Sequence, residues 1–96
     1  MFDVGCIVRA EAGRDKEDIF CVVGADQARN RLLLANGKGR KLSRPKEKSP
    51  RHVIPLTDHL HGFDHPTIGK LKQKEPVTDR QLRQAMAALK EGIQLG

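Results

Sequence analysis

Residues 38–51 carry seven Lys or Arg side chains against one acid, Glu47, and the chemistry open to such a segment is phosphate binding. Ammonium and guanidinium groups neutralise a nucleic-acid backbone and release its condensed counterions. A packed core does not hold so dense a charge, so the segment must lie at the surface. The competing interpretation is a solvated charge run that serves solubility, and we favour nucleic acid. The basic residues are Lys38, Arg40, Lys41, Arg44, Lys46, Lys48 and Arg51.

The charge of the whole chain is also uneven. The 96 residues carry a net charge of +6, and residues 1–57 hold twelve Lys or Arg against seven acids. A basic half of this kind points to a polyanionic partner. The chain has no Trp or Tyr and three Phe, so it lacks the aromatic side chains on which proteins stack successive bases. Nucleic-acid binding must therefore rest on charge and backbone contacts, with specificity from RNA shape.

Catalytic and cofactor-binding motifs are absent from the sequence, which contains neither GxGxxG nor GxxxxGK[ST] and has no CxxC pair. We therefore expect no enzyme activity and no cofactor. A group of carboxylates and imidazoles offers ligand types that zinc accepts, but no known ligand spacing organises it, so we favour a plain loop and predict no metal. The group is Asp58, His59, His61, Asp64 and His65.

Two features of the chain favour a cytoplasmic protein. No window holds the roughly 20 apolar residues that cross a bilayer, and the first residues lack the basic and then apolar pattern of a secretory signal. Cys6 and Cys21, the only cysteines, each lie in a short apolar run. Buried reduced thiols are therefore favoured over a disulfide.

Short apolar runs separated by glycine turns predict five strands in the first half, at residues 4–10, 19–24, 31–35, 40–43 and 51–56. Gly13 suits a turn after the first strand, because glycine takes a positive φ without cost. Asn36-Gly37 is a strong hairpin signal after the third. On the fourth strand Leu42 would face the core, and residues 44–51 would be extended and adaptable. Five short strands predict a small barrel or a strongly bent sheet.

The second half of the chain predicts one helix over residues 79–91. Thr78 and Gln81 have the spacing of a capping box. Residues 58–77 show no sustained period and are predicted to be a linker or loop. An apolar stripe at helical spacing leaves two interpretations open, which are packing on the β domain and docking to a partner or a second copy. The stripe is Leu82, Met86, Leu89 and Ile93.

Residues 4–24, VGCIVRAEAGRDKEDIFCVVG, resemble the KOW motif, a β-loop-β element of ribosomal proteins and transcription elongation factors. Val4-Gly5 stands where the family opens its first strand, and Gly13 stands where its loop needs a glycine. Many KOW loops carry a further glycine after the Asp-Lys pair, where this chain has Glu17-Asp18.

The resemblance continues to residue 56, where the chain is similar to a small bacterial family of KOW-containing proteins related to ribosomal proteins. That family follows its hairpin glycines with a basic RKL, a proline-lysine stretch and a histidine-led last strand. The matching residues here are Asn36-Gly37, Arg40-Lys41-Leu42, residues 45–48 and His52.

The resemblance implies an SH3-like β-barrel that binds RNA on or near the ribosome, with rRNA and neighbouring ribosomal proteins as partners. It implies phosphate contact for Arg14 and Lys16, and local ion pairs with Asp15, Glu17 or Asp18 are the equal alternative. For His52, packing at a strand end is favoured over a nucleic-acid contact.

We therefore expect a mainly β chain, with a small SH3-like barrel (a KOW domain) over residues 1–57, a linker over 58–77 and a C-terminal helix over 78–93. Its expected role is that of a non-catalytic RNA-binding protein. The alternatives are DNA binding, as in elongation factors, and a protein-interaction module of the translation or transcription machinery that uses the helix.

Overall fold

The computed structural model describes residues 2–57 and 65–95, and this part of the chain is mainly β with two α-helices. The strands are β1 Ile7–Ala10, β2 Ile19–Asp26, β3 Arg31–Ala35, β4 Lys46–Lys48 and β5 Val53–Pro55. A 3-10 turn, Pro50–His52, joins β4 to β5. The helices are α1 Pro66–Lys72 and α2 Asp79–Leu95.

The five strands form one antiparallel sheet in the order β4-β3-β2-β1-β5. β4 and β5 lie at opposite edges of the sheet although they follow each other in the chain. A register shift between Val22 and Gly24 interrupts the pairing of β2 with β3, as a bulge does. The five strands and the C-terminal helix confirm the coarse fold that the sequence predicts.

The strand side chains alternate between two apolar cores, one on each face of the sheet. Ile7 and Cys21 belong to the first core, whereas Val8 and Phe20, their neighbours on β1 and β2, belong to the second. The helices complete the first core, whereas the buried residues of the second all lie on strands, and the partly buried Phe2 and Cys6 pack against them. Burial on both faces explains why the sequence of β2 is a continuous apolar run and not an alternating one.

Helix α2 begins with the capping box that the sequence predicts. The Thr78 hydroxyl accepts a hydrogen bond from the Gln81 N–H at 3.1 Å, and the Gln81 side-chain oxygen accepts one from the Thr78 N–H at 3.0 Å. Leu82, Met86 and Leu89 are at most 8% exposed and lie in the first core. The stripe therefore packs on the sheet of its own chain. Ile93 lies outside the residues whose side chains are described.

Helix α1 lies within residues 58–77, for which the sequence predicts a linker or loop. His65 caps it, because its Nδ1 accepts a hydrogen bond from the Thr67 N–H at 3.1 Å, and Pro66 occupies the first turn. Ile68 is buried in the first core. The helix has seven residues, which is too short for an apolar period to stand out in the sequence.

The strand predicted at residues 40–43 is wrong. The Asn36 side-chain oxygen accepts hydrogen bonds from the N–H groups of Lys38 and Arg40 at 2.9 and 3.0 Å, which bends the chain into a loop. The Leu42 N–H donates to Asp79 Oδ1 at 2.8 Å, not to a neighbouring strand. Leu42 does pack against the first core. The fourth strand of the structure is β4. Residues 44–51 therefore contain an edge strand and the start of a 3-10 turn, and they are not simply extended.

Both cysteines are free thiols, and the predicted burial is confirmed for Cys21 only. Cys21 is buried in the first core, and Cys6 is half-buried. Burial, with a smaller effect from Cys6, raises the pKa of the Cys21 thiol to about 12. Cys21 therefore behaves as a small apolar core residue at neutral pH.

Candidate nucleic-acid interface

Two segments that are distant in sequence meet at Asp15. This residue lies in the loop between β1 and β2, residues 11–18, and its carboxylate forms ion pairs with Lys46 and Lys48 of β4. Lys46 and Lys48 are two residues apart on a strand, so both point to the same side of the sheet. The Lys48 Nζ lies 3.9 Å from Asp15 Oδ2, and the two side chains are 9% and 17% exposed. The contact fastens the β1–β2 loop to β4.

The Asp15 carboxylate is held in its ionised form by this contact. A hydrogen bond from Lys46 lowers the pKa of Asp15 below its ordinary value of 3.8, and partial burial opposes that effect. The charges of Lys46, Lys48 and Arg40 lower the pKa further. Arg40 belongs to the segment before β4, so three parts of the chain converge around one carboxylate.

The backbone of the β1–β2 loop turns tightly through two residues of positive φ. Gly13 has a φ of +83°, which confirms its predicted role as a turn residue, and Glu17 has a φ of 75°. A non-glycine residue pays roughly 1–2 kcal/mol for this left-handed conformation. The Glu17 N–H donates to the Ala10 carbonyl at 2.7 Å, and the Ala10 N–H donates to the Asp18 carbonyl at 2.9 Å, so the loop closes on β1.

Residues 38–44, which we call the basic loop, are anchored against the start of α2. Gly37 has a φ of +79°, and a Cβ added there would lie 2.4 Å from the Asp79 carbonyl oxygen. Arg83 Nη1 donates to the Gly37 carbonyl at 2.9 Å. The glycine at position 37 therefore allows the loop to approach α2 closely. The chain does not form a two-residue hairpin turn here, and the Asn36 side chain shapes the loop instead.

The structure divides the nine predicted RNA-binding residues into two groups. Lys46 and Lys48 are bound to Asp15. The other seven are exposed, and none forms an ion pair with any residue in 2–57 or 65–90; they are Arg14, Lys16, Lys38, Arg40, Lys41, Arg44 and Arg51. The local ion pairs considered for Arg14 and Lys16 do not form: Asp15 pairs with β4, and neither Glu17 nor Asp18 forms an ion pair with a described residue.

Two other acids near the basic residues have their own partners. Glu47, the one acid of residues 38–51, pairs with Arg29 at 3.1 Å, and Glu11 pairs with Arg9 at 3.0 Å. The His52 side chain is exposed, so the favoured interpretation of a packed histidine is wrong. His52 contributes through its backbone, since its carbonyl accepts from the Glu11 N–H at 2.8 Å.

Sequence reasoning missed the role of Asp15 as the partner of Lys46 and Lys48. No local signal could have revealed it, because the pair forms only when β4 comes beside the β1–β2 loop. Of the residues considered for zinc, Asp58, His59, His61 and Asp64 lie outside the described residues. His65 is described, and its Nδ1 caps α1.

No protein-family model matches the chain, and no curated protein matches it. The KOW resemblance therefore rests on the residues quoted for it. Neither helix in residues 2–57 and 65–95 has both the length and the apolar character needed to cross a membrane.

Proposed function

We propose that this chain is a non-catalytic RNA-binding protein that holds a phosphate backbone through exposed cations of the basic loop and of the β1–β2 loop. The observation that carries the proposal is the contact of Asp15 with β4. It brings the β1–β2 loop, with Arg14 and Lys16, to the strand that follows the basic loop. Cations from two distant parts of the sequence then act on one bound strand.

The proposed mechanism is electrostatic. The seven exposed cations neutralise phosphates and release counterions. The ion pairs of Lys46 and Lys48 hold the loop in place before RNA arrives, and such preorganisation lowers the entropy lost on binding. Direct phosphate contact by Lys46 and Lys48 is a prediction made from the sequence, and it stays a prediction.

The KOW resemblance supports this proposal through the backbone of the β1–β2 loop. Positive φ values occur at Gly13 and Glu17, which are the two places where KOW loops commonly carry glycine. We further propose that the sheet curls towards an SH3-like barrel, since its two edge strands are joined by one 3-10 turn and the buried residues of its second core all lie on strands. By the same resemblance we propose rRNA as the partner, on or near the ribosome in the cytoplasm, with ribosomal proteins nearby.

A protein-interaction module that uses α2 is the second candidate. It is less favoured because Leu82, Met86 and Leu89 are already buried against the sheet of this chain. A partner would have to bind the exposed side of α2, which carries Arg80, Arg83 and Lys90. Such a basic helix face suits a polyanion better than an apolar partner.

The salt dependence of RNA affinity tests the proposed function. With four to six phosphate contacts, the log of the association constant should fall against log salt with a slope of about −3 to −5. The measurement is fluorescence anisotropy of a labelled rRNA fragment, with duplex DNA and an acidic protein as competitors. Binding that is insensitive to salt, or absent at about 0.1 M salt, would reject the proposal. Preference for the DNA competitor would assign the surface to DNA.

A further inference from the structure

A small cleft lies between the basic loop, the start of β2 and α2. Its volume is about 220 Å³. Ile19, Met86 and Ala87 give it apolar surface, and Lys38, Arg83 and Lys90 supply three cations. Asn36 completes the lining, and none of the described side chains that form it is a carboxylate. A cleft with this lining suits a ligand that is partly apolar and negatively charged.

The described polar side chains of the cleft offer a ligand hydrogen-bond donors and positive charge. Asn36 Oδ1 already accepts two backbone hydrogen bonds, so the amide is oriented and its NH2 is left to donate. The Arg83 guanidinium is fixed by its hydrogen bond to the Gly37 carbonyl and keeps further N–H donors. A ligand must therefore bring acceptors, as phosphates and nucleobases do.

We infer that this cleft binds one nucleotide of the RNA strand, with the base on Ile19, Met86 and Ala87 and the phosphate at Lys38, Arg83 and Lys90. The inference rests on the proposed function and adds a site to it. Pockets for drug-sized ligands hold roughly 300–1,000 Å³, so this smaller cleft suits a single base. Lys38 belongs to both the cleft and the basic loop, so one strand can follow the loop into the cleft.

The cleft also offers a base a surface to contact in a chain that has few aromatic side chains. Proteins that bind unpaired RNA place splayed bases on aromatic rings or on the plane of an Arg guanidinium. With no Trp or Tyr, the chain can use the apolar surface that Ile19 and Ala87 give the cleft. The strand would then be held by phosphate contacts along the basic loop and by one base in the cleft.

The test compares two variants of the full chain that add the same charge to α2. Ala87→Glu places a carboxylate in the cleft, and Gln84→Glu places one at an exposed position of the same helix that does not line the cleft. Glu is a good helix former, so both should fold, which circular dichroism checks. We expect Ala87→Glu to weaken binding of a single-stranded rRNA fragment about tenfold, and Gln84→Glu to weaken it clearly less.

A second measurement reports the cleft directly. The methyl NMR signals of Ile19 and Met86 should shift when the rRNA fragment is added, and more weakly with a nucleoside monophosphate. An oligo-glutamate peptide is the third probe. Methyl shifts with RNA, whether or not the monophosphate also causes them, support a nucleotide of the strand in the cleft.

The remaining outcomes separate this inference from the proposed function. If RNA binds but the two variants are equally affected and the methyl signals do not move, the cleft inference fails while the proposed function stands. If the methyl signals respond to the peptide and not to RNA, the cleft is a peptide site and the inference fails. If the wild-type chain binds no RNA, both fail together.

Discussion

The ammonium group of Lys46 is bound to the carboxylate of Asp15, and this ion pair joins an edge strand of the sheet to the loop between its first two strands. Lys48 supports the same carboxylate from 3.9 Å. Because these side chains are mostly shielded from water, the contact is stronger than an exposed surface pair. The relationship gives two lysines of the basic segment a structural role, so the proposed phosphate binding rests on the exposed cations.

Replacement of Asp15 by Asn should destabilise the fold. The variant leaves Lys48, which is 9% exposed, without its counter-charge, and we expect the free energy of unfolding to fall by about 1–2 kcal/mol. Urea denaturation followed by circular dichroism measures it. Glu75→Gln is the matched control, since Glu75 is exposed and forms no ion pair with the described residues. Equal stability of the two variants would contradict the role assigned to Asp15.

The Asp15→Asn variant also tests how the stability of the fold depends on pH. The folded state lowers the pKa of Asp15 below 3.8, chiefly through the hydrogen bond from Lys46. The stabilisation is therefore complete above the unfolded value and is lost as the pH falls through the lowered pKa. The stability difference between wild type and Asp15→Asn should be constant from about pH 6 to pH 8 and shrink below about pH 4. A difference that instead grows on acidification would mean that another group is responsible.

Glu17 offers a test of the loop that separates backbone strain from charge. Its φ of 75° suits glycine, so Glu17→Gly should relieve roughly 1 kcal/mol of strain, offset in part by the greater entropy of the unfolded chain. Glu17→Gln removes the same charge without relieving strain. We expect both variants to bind RNA more tightly, because an acid beside Arg14 and Lys16 is gone, and only Glu17→Gly to gain stability. If neither changes RNA affinity, the β1–β2 loop does not contact phosphate.

Gly37 and Gly39 form a matched pair for the anchoring of the basic loop. A Cβ at Gly37 would lie 2.4 Å from the Asp79 carbonyl oxygen in a backbone of positive φ, whereas one at Gly39 meets nothing within 4 Å. Gly37→Ala should cost roughly 2 kcal/mol or more in unfolding free energy, and Gly39→Ala should be near neutral. Thermal unfolding of the two variants checks this, and similar melting temperatures would show that the loop is not seated on α2.

Local patterns in the sequence predicted the elements that depend on local forces. Strand β3 lies at the predicted residues, because Arg31 and Asn36 flank a short apolar run. Helix α2 begins where Thr78 and Gln81 predicted it, since the capping box acts within one turn. The turn at Gly13 follows from the conformational freedom of glycine.

Features that depend on distant partners could not be predicted in this way. The basic loop is bent by the Asn36 side chain and held by Asp79, and both contacts compete with the strand that the pattern of residues 40–43 suggested. Lys46 and Lys48 have the same sequence character as Lys38 and Lys41. Only the fold shows that the first two meet Asp15 and the last two do not.

The central claim is that the exposed cations of the basic loop hold RNA phosphates. The most direct measurement is the rRNA affinity of a variant in which four of them become Gln: Lys38, Arg40, Lys41 and Arg44. Its control carries the same loss of charge at cations elsewhere in the fold: Arg31, Lys70, Lys72 and Lys74. We predict that the loop variant loses affinity at least tenfold more than the control and that its salt slope becomes shallower by about 3 to 4. Equal losses of affinity in the two variants, with equal salt slopes, would contradict the account.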